Sequence, residues 1–283
     1  MSTTAAPATA RRIGISTITF RFRPYEEAVR LIAATGATEV DLGALPGVCD
    51  HVPVPFTGDP ADHVAVLDRH GLRAGAVNGD VGPLNDPALD PETLAATALP
   101  LVRLAAAAGG ALILPAGGQS WDPYTDEDTD LRRIAENLRR VGALCAEHGV
   151  RLMVEVLHHR RFAWSVARAD RVLDLLGPDV VGLLLDTSHV VASDEDVVAW
   201  ATRHASRVER VHLRDAVPGN LNLGIGRGRV DFDGVMTALE EGGFTGTYVL
   251  ELETHDVAEE DREADAQRSF DEMAALLGEV QAR

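Results

Sequence analysis

Eight short apolar runs recur along this chain, and stretches of helical periodicity separate them. They are RIGISTI (12–18), TEVDLG (38–43), LRAGAVN (72–78), ALILPAG (111–117), VRLMVEV (150–156), VVGLLLD (180–186), VERVHLR (208–214) and TYVLELE (247–253). Runs of this length read as buried strands. Between them lie amphipathic segments such as PYEEAVRLIAATG and DLRRIAENLRRVGALCAEHG, the second ending in glycine as helix C-termini do. Eight strand-then-helix units are the count of an α/β (β/α)8 TIM barrel. A doubly wound open sheet is the alternative, but the first strand-to-helix turn, STITFRFRP, has none of the glycines of a dinucleotide crossover. A chain of 283 residues with 46% hydrophobic content suffices for one large core, and no shift in composition marks a second domain. A single barrel domain is therefore expected over residues 12–283, with 1–11 a loose tail. Two connections, 45–60 and 216–232, are longer than typical strand-to-helix loops and follow the second and seventh strands. Long loops at that end of a barrel build active sites.

Charge narrows the chemistry. A formal net charge of −18 repels a phosphate backbone and no basic patch reverses it, so nucleic acid is not an expected partner. All 26 basic residues are arginine, which excludes lysine Schiff-base chemistry, a pyridoxal-phosphate lysine and a Walker-type lysine. The two cysteines, Cys49 and Cys145, lack CxxC spacing, which fits a reducing compartment and argues against a zinc-thiolate site. No apolar run of about 18 residues is present to span a bilayer, and the opening MSTTAAPATARR lacks the apolar segment of a secretory signal. The expectation is a cytoplasmic enzyme acting on a small molecule, away from membranes; a homo-oligomer is compatible with the sequence, which does not specify one.

The stretch GLLLDTSHVV (182–191) carries the sharpest question, because an apolar strand ends abruptly in Asp186 with His189 three positions on. One reading makes Asp186 a helix cap, for which Asp-Thr-Ser is good material. The neighbouring strands supply another. Strand five ends with Glu155, strand seven carries His212, and strand eight carries Glu251, so four consecutive strands bring polar groups to one half of the barrel mouth. Each has a plain alternative: an arginine partner in HHRR for Glu155, a core position for His212, a rim position for Glu251. Three converging carboxylates would repel one another unless a cation or protons sat between them. One imidazole among oxygen ligands suits one divalent ion, Mn2+, Mg2+, Co2+ or Zn2+, with open positions left for two substrate oxygens.

The order VEVLHHRR, LLLDTSH, VHLRDA, GRGRVDF, GFTGTYVLELE resembles the sugar phosphate isomerase/epimerase family, xylose-isomerase-like TIM barrels that include ketose 3-epimerases, hydroxypyruvate isomerase and inosose-processing enzymes. The resemblance spans nearly the whole chain and is densest from about 150 to 253. It implies metal ligands at Glu155, Asp186, His212 and Glu251, with Glu155 and Glu251 also the catalytic acid/base groups, and it places His189 against the substrate. Glu253 shares a strand face with Glu251 by the two-residue period, and the family position after GFTGTYVL favours Glu251. The implied activity is that of a metal-dependent isomerase or epimerase, Mn2+ first among the ions, acting on a sugar-like polyhydroxy carbonyl compound through an enediolate. The alternative is a dehydratase or lyase on an oxo-sugar, inosose or oxo-glycoside, which shares the first proton abstraction.

One departure bears on substrate. Six residues after the strand-five ligand, where the ketose epimerases carry a further glutamate, this chain has Arg161, preceded by His158, His159 and Arg160. Arginine forks suit anionic oxygens; solvated loop arginines are the alternative. Arg227 in the glycine-rich loop after strand seven, His51 and Asn78 after strands two and three, and Trp121 after strand four complete the candidate substrate-binding set.

Overall fold

The computed structural model describes residues 12–283, so the segment 1–11, expected as a tail, lies outside the described residues. Ten strands are present among them: β1 (Ile13–Ser16), β2 (Glu39–Ala44), β3 (Arg73–Gly79), β4 (Ala111–Pro115), β5 (Leu152–Glu155), β6 (Gly182–Asp186), β7 (Val208–Leu213), β8 (Asp215–Val217), β9 (Asn220–Leu223) and β10 (Thr247–Leu250). Eight close into a barrel in the order β1-β10-β7-β6-β5-β4-β3-β2, and every neighbouring pair is parallel. These eight are the apolar runs of the sequence. β8 and β9 form an antiparallel hairpin over residues 215–223, at the start of the 216–232 connection, which is therefore partly ordered structure rather than plain loop. Among the described residues no helix is long and apolar enough to cross a membrane.

The helices are α1 (Tyr25–Ala34), α2 (Pro60–His70), α3 (Pro91–Ala108), α4 (Glu127–Glu147), α5 (Val166–Leu176), α6 (Thr187–Ala192), α7 (Val197–His204), α8 (Phe232–Glu241) and α9 (Arg262–Gln281). Local chemistry sets their limits. Asp59 and Asp90 accept hydrogen bonds from the first backbone N–H groups of α2 and α3, each followed by proline at the first helical position, and both helices end at a left-handed glycine, Gly71 and Gly109.

The barrel interior is not uniformly apolar. On one side a separate cluster of Ala76, Ala111, Ile113, Met153 and Leu184 fills it from β3 to β6. On the other, Glu39 and Asp41 of β2 meet Arg210 and His212 of β7, all at most 4% exposed. β2 and β7 are not neighbours in the closed sheet, so these contacts run through the lumen. A Cβ at Gly75 of β3 would collide with the Arg210 guanidinium and the Glu39 carboxylate, so glycine there makes room for the charge pair.

Candidate metal centre and cavity

Asp186 serves as the helix cap with one oxygen only and leaves the other outside that role. It is the last residue of β6 and the cap of α6: Oδ1 accepts from the Ser188 backbone N–H at 2.7 Å, the Ser188 hydroxyl at 2.6 Å and the His189 N–H at 3.2 Å. Its Oδ2 faces the guanidinium of Arg214 at 3.2 Å. One oxygen is thus held by the helix start while the other looks into the barrel mouth.

His212 is oriented from below. A carboxylate can only accept, so the 3.0 Å contact between Nε2 and Asp41 Oδ2 puts the ring hydrogen on Nε2. Nδ1 is left buried without a hydrogen-bond partner, 3.3 Å from Glu251 Oε1. Burial works against charging this ring, but Glu251 and Asp41 outweigh it and raise its pKa well above the ordinary histidine value. Asp41 in turn is lowered despite its burial, by Arg210 and His212.

Glu155 closes β5, and its Oε1 is also buried without a hydrogen-bond partner. Burial first, then the nearby Asp186 and Glu251 carboxylates, push its carboxyl up to about 8. Donor atoms of Glu155, Asp186 and His212 all lie within 4.8 Å of one another. Glu251 sits just past the end of β10; its Oε1 accepts from Asn78 Nδ2 at 2.9 Å and its Oε2 lies 3.7 Å from Arg214. It stands beside His212 rather than within that tight trio. Glu253 does not share its surroundings, because the strand has ended: it pairs with Arg214 at 3.2 Å and Arg21 at 3.1 Å.

This donor set fits a divalent cation. Two buried atoms, Glu155 Oε1 and His212 Nδ1, lack hydrogen-bond partners in a cluster with Asp186 and Glu251; the His212 ring, its pKa raised, holds a proton on Nδ1, which a cation would displace to gain the lone pair. A second cluster, Glu155 with His158 and His189, has similar spacing but the wrong lone pairs. His189 Nδ1 accepts the His159 backbone N–H at 3.1 Å, and His158 Nδ1 accepts that of Arg160 at 3.3 Å. Both rings, whose pKa values burial lowers well below the ordinary value, therefore carry their hydrogen on Nε2. Those Nε2 atoms, 3.5 Å and 3.8 Å from Glu155, present N–H donors instead of ligand lone pairs. Arg214 Nη2, 3.4 Å from His189 Nε2, is a packing neighbour there.

Above these groups opens a cavity of about 730 Å³. Of the residues expected around substrate, His189, Arg161, Asn78 and Trp121 line it. Arg161 does so with its charge met: Nη2 is 2.6 Å from Asp80 Oδ2 and Nη1 donates to the Gly117 carbonyl. Arg227 and His51 are not among the lining residues. Arg227 pairs with Asp256, 3.4 Å away, because its loop folds toward the segment after β10, and His51 turns to the Arg23 carbonyl at 2.8 Å beneath the β2–α2 loop.

Two residues central to this geometry escaped the sequence reading. Arg214, 1% exposed, ties Asp186, Glu251 and Glu253 together, and Asp41 orients His212. The signal was the two-residue period in VERVHLR and TEVDLG, which places Arg210, His212 and Arg214 on one strand face, and Glu39 and Asp41 on another.

Among curated relatives, an inosose dehydratase of Geobacillus thermodenitrificans (strain NG80-2) is 31% identical over 150 residues, covering 46% of this chain and 49% of that protein. An inosose dehydratase of Lacticaseibacillus casei is 28% identical over 151 residues, again 46% and 49%. The match thus spans about half the length of these relatives. Similar solved structures are L-ribulose 3-epimerase (TM-score 0.77, 18% identity, 96% of both chains) and the IOLI protein with a binding zinc atom (0.76, 15%, 93% of this chain and 98% of that one). A third is the E. coli 3-keto-D-glucoside 4-epimerase YcjR (0.70, 19%, 94% and 98%). At these identities the structural likeness is one of fold. A family model described as a xylose isomerase-like TIM barrel matches residues 29–276, nearly the whole of the barrel, and the chain belongs to that family.

Proposed function

We propose that the protein is a divalent-metal-dependent isomerase or epimerase that moves a proton on the carbon beside the carbonyl of a sugar, ketose or related polyhydroxy compound. The observation that carries this reading is Glu155: a buried carboxylate with an unpartnered oxygen that lines the cavity beside Asp186, His212 and Glu251. Glu155, Asp186, His212 and Glu251 would hold the ion, with Mn2+ proposed and Mg2+, Co2+ or Zn2+ as alternatives. When bound, it supplies positive charge against the negative charge that develops on the substrate's carbonyl oxygen.

The chain's own groups do the rest. Glu155 removes the proton, and Glu251, steadied by Asn78 and Arg214, is the second carboxylate available to return one. The fixed Nε2–H groups of His158 and His189 hold substrate oxygens beside Glu155. Asn78, Arg161 and Trp121 shape the walls.

A dehydratase or lyase is the second reading, favoured by the half-length similarity to inosose dehydratases. It begins with the same proton removal by Glu155 and ends with departure of a neighbouring oxygen as water or alcohol, to which Glu155 returns the proton while the histidine N–H groups hydrogen-bond it. The test is solvent deuterium exchange into a panel of ketoses and inososes, followed by mass spectrometry. Wild type should introduce deuterium at the carbon beside the carbonyl, and Glu155→Gln should lose nearly all of it. Product of unchanged mass apart from the label supports the isomerase, whereas loss of water or an aglycone supports the second reading. Full exchange in Glu155→Gln would move the base elsewhere.

A further inference from the structure

The cavity is larger than one sugar ring requires. Its 730 Å³ falls in the range that encloses drug-sized ligands, whereas a pyranose has only about a dozen heavy atoms. Glu155, His189, Arg214 and Glu251 form its floor, other polar groups such as Gln119 and Arg161 also line it, and Leu45, Val48, Trp121 and Leu221 add apolar wall. Four large hydrophobic residues are well exposed among the described ones, and two of them, Val48 and Trp121, line this cavity.

Both are held there by local structure. After β2 the chain makes a tight turn in which the Val48 and Cys49 N–H groups bond the Leu45 carbonyl at 2.9 Å each, with Gly47 in the left-handed region at φ +75°. Trp121 donates its Nε1–H to the His159 carbonyl at 2.6 Å and stacks on Trp164 with ring centroids 4.7 Å apart. One face of the indole is covered, yet the residue remains 46% exposed. A rigid, partly bare indole loses little freedom when a flat ring packs on it.

We propose that this wall is a subsite for a flat apolar substituent, so that the substrate is a polyhydroxy carbonyl sugar carrying an aromatic aglycone. The inference rests on the proton-transfer reading of the floor, which places the sugar ring there. A second sugar is the poorer occupant beside Leu45, Val48 and Leu221, which offer its hydroxyls no side-chain partner, although Gln119 and Arg160 elsewhere in the cavity do, so the glucosyl compound is an arm of the test.

The experiment is calorimetric titration of the metal-loaded protein with matched phenyl, methyl and glucosyl glycosides in keto form. The phenyl compound should bind about tenfold more tightly than the methyl one. That ratio should fall to about one in both Trp121→Ala and Val48→Asp, the second lying on an exposed turn where folding is not at stake. Equal phenyl and methyl affinities, a glucosyl compound that binds tightest, or a ratio retained in both variants would overturn the subsite. So would failure of all three to bind to a protein that exchanges deuterium into free ketoses, which leaves the floor chemistry standing. Conversely, a phenyl preference that both variants abolish, in a protein without exchange activity, supports the subsite and removes the proton-transfer reading.

Discussion

Asp41→Asn tests the geometry beneath the proposed metal centre with the loss of one formal charge and little change of shape. Asp41 accepts three hydrogen bonds: Oδ2 takes Arg210 Nε at 2.8 Å and His212 Nε2 at 3.0 Å, and Oδ1 takes Arg210 Nη2 at 2.6 Å. An amide has one acceptor oxygen and a donor nitrogen, so neither orientation serves all three. If the amide nitrogen faces Arg210, two donors collide in a site that is fully buried. If it takes the place of Oδ2, it opposes Arg210 Nε as well, and His212 must accept at Nε2 and keep its hydrogen on Nδ1, toward Glu251 Oε1 at 3.3 Å, which denies that lone pair to a metal ion. Loss of a partner that orients a metal-ligating histidine typically costs about 10–100-fold in metal affinity, equivalent to about 1.4–2.8 kcal/mol. Stability should fall by about 1.5–3 kcal/mol, the worth of a hydrogen bond to a charged group. The loss stays below that of a fully orphaned arginine, because Glu39 still meets Arg210 at 2.7 Å. Calorimetric titration of the metal-free variant with Mn2+ and Zn2+, alongside urea unfolding, reads both quantities. A folded variant with affinity within about threefold of wild type would refute the claim that Asp41 dictates which nitrogen of His212 is free.

Four further outcomes follow from the same core. His212→Ala should lower metal affinity at least as far as Asp41→Asn while the circular dichroism of the barrel persists; gross unfolding would make His212 a packing residue. Gly75→Ala drives a methyl into the Arg210 and Glu39 side chains and should destabilise the protein by about 1–3 kcal/mol in urea unfolding, as overpacking does. Metal affinity should rise with pH and still be rising near 8, because burial and two carboxylates push Glu155 from 4.5 to about 8 and its proton competes with the ion. The sign for the metal-free protein is opposite: a carboxyl raised on folding adds stability that is complete below 4.5 and lost as pH climbs through about 8. Urea unfolding of metal-free protein across that window should show the decline, and a flat profile would contradict it.

What the sequence alone determined here is local or repetitive. Eight apolar runs specify eight strands, since a buried strand is recognisable from a few consecutive residues, and Asp-Pro starts with glycine stops delimit α2 and α3 through backbone hydrogen bonds that span one turn. The positions of Glu155, Asp186, His212 and Glu251 were legible for the same reason: strand ends in a closed barrel converge whatever lies between them. Only the tertiary structure decided how side chains are shared. Asp41 meets Arg210 from 169 residues away, a pairing that no spacing in the chain encodes. Arg161 is matched to Asp80, Arg227 to Asp256, and His51 to a backbone carbonyl, so three residues with the chemistry to bind a substrate differ in whether the cavity sees them at all. Which nitrogen of His158 and His189 carries hydrogen, and which carboxylate each nitrogen of His212 faces, was likewise decided by what packs against each ring. Strand and helix limits are set by neighbours in sequence, whereas charge pairing and tautomer are set by neighbours in space, and in a closed barrel those come from across the lumen.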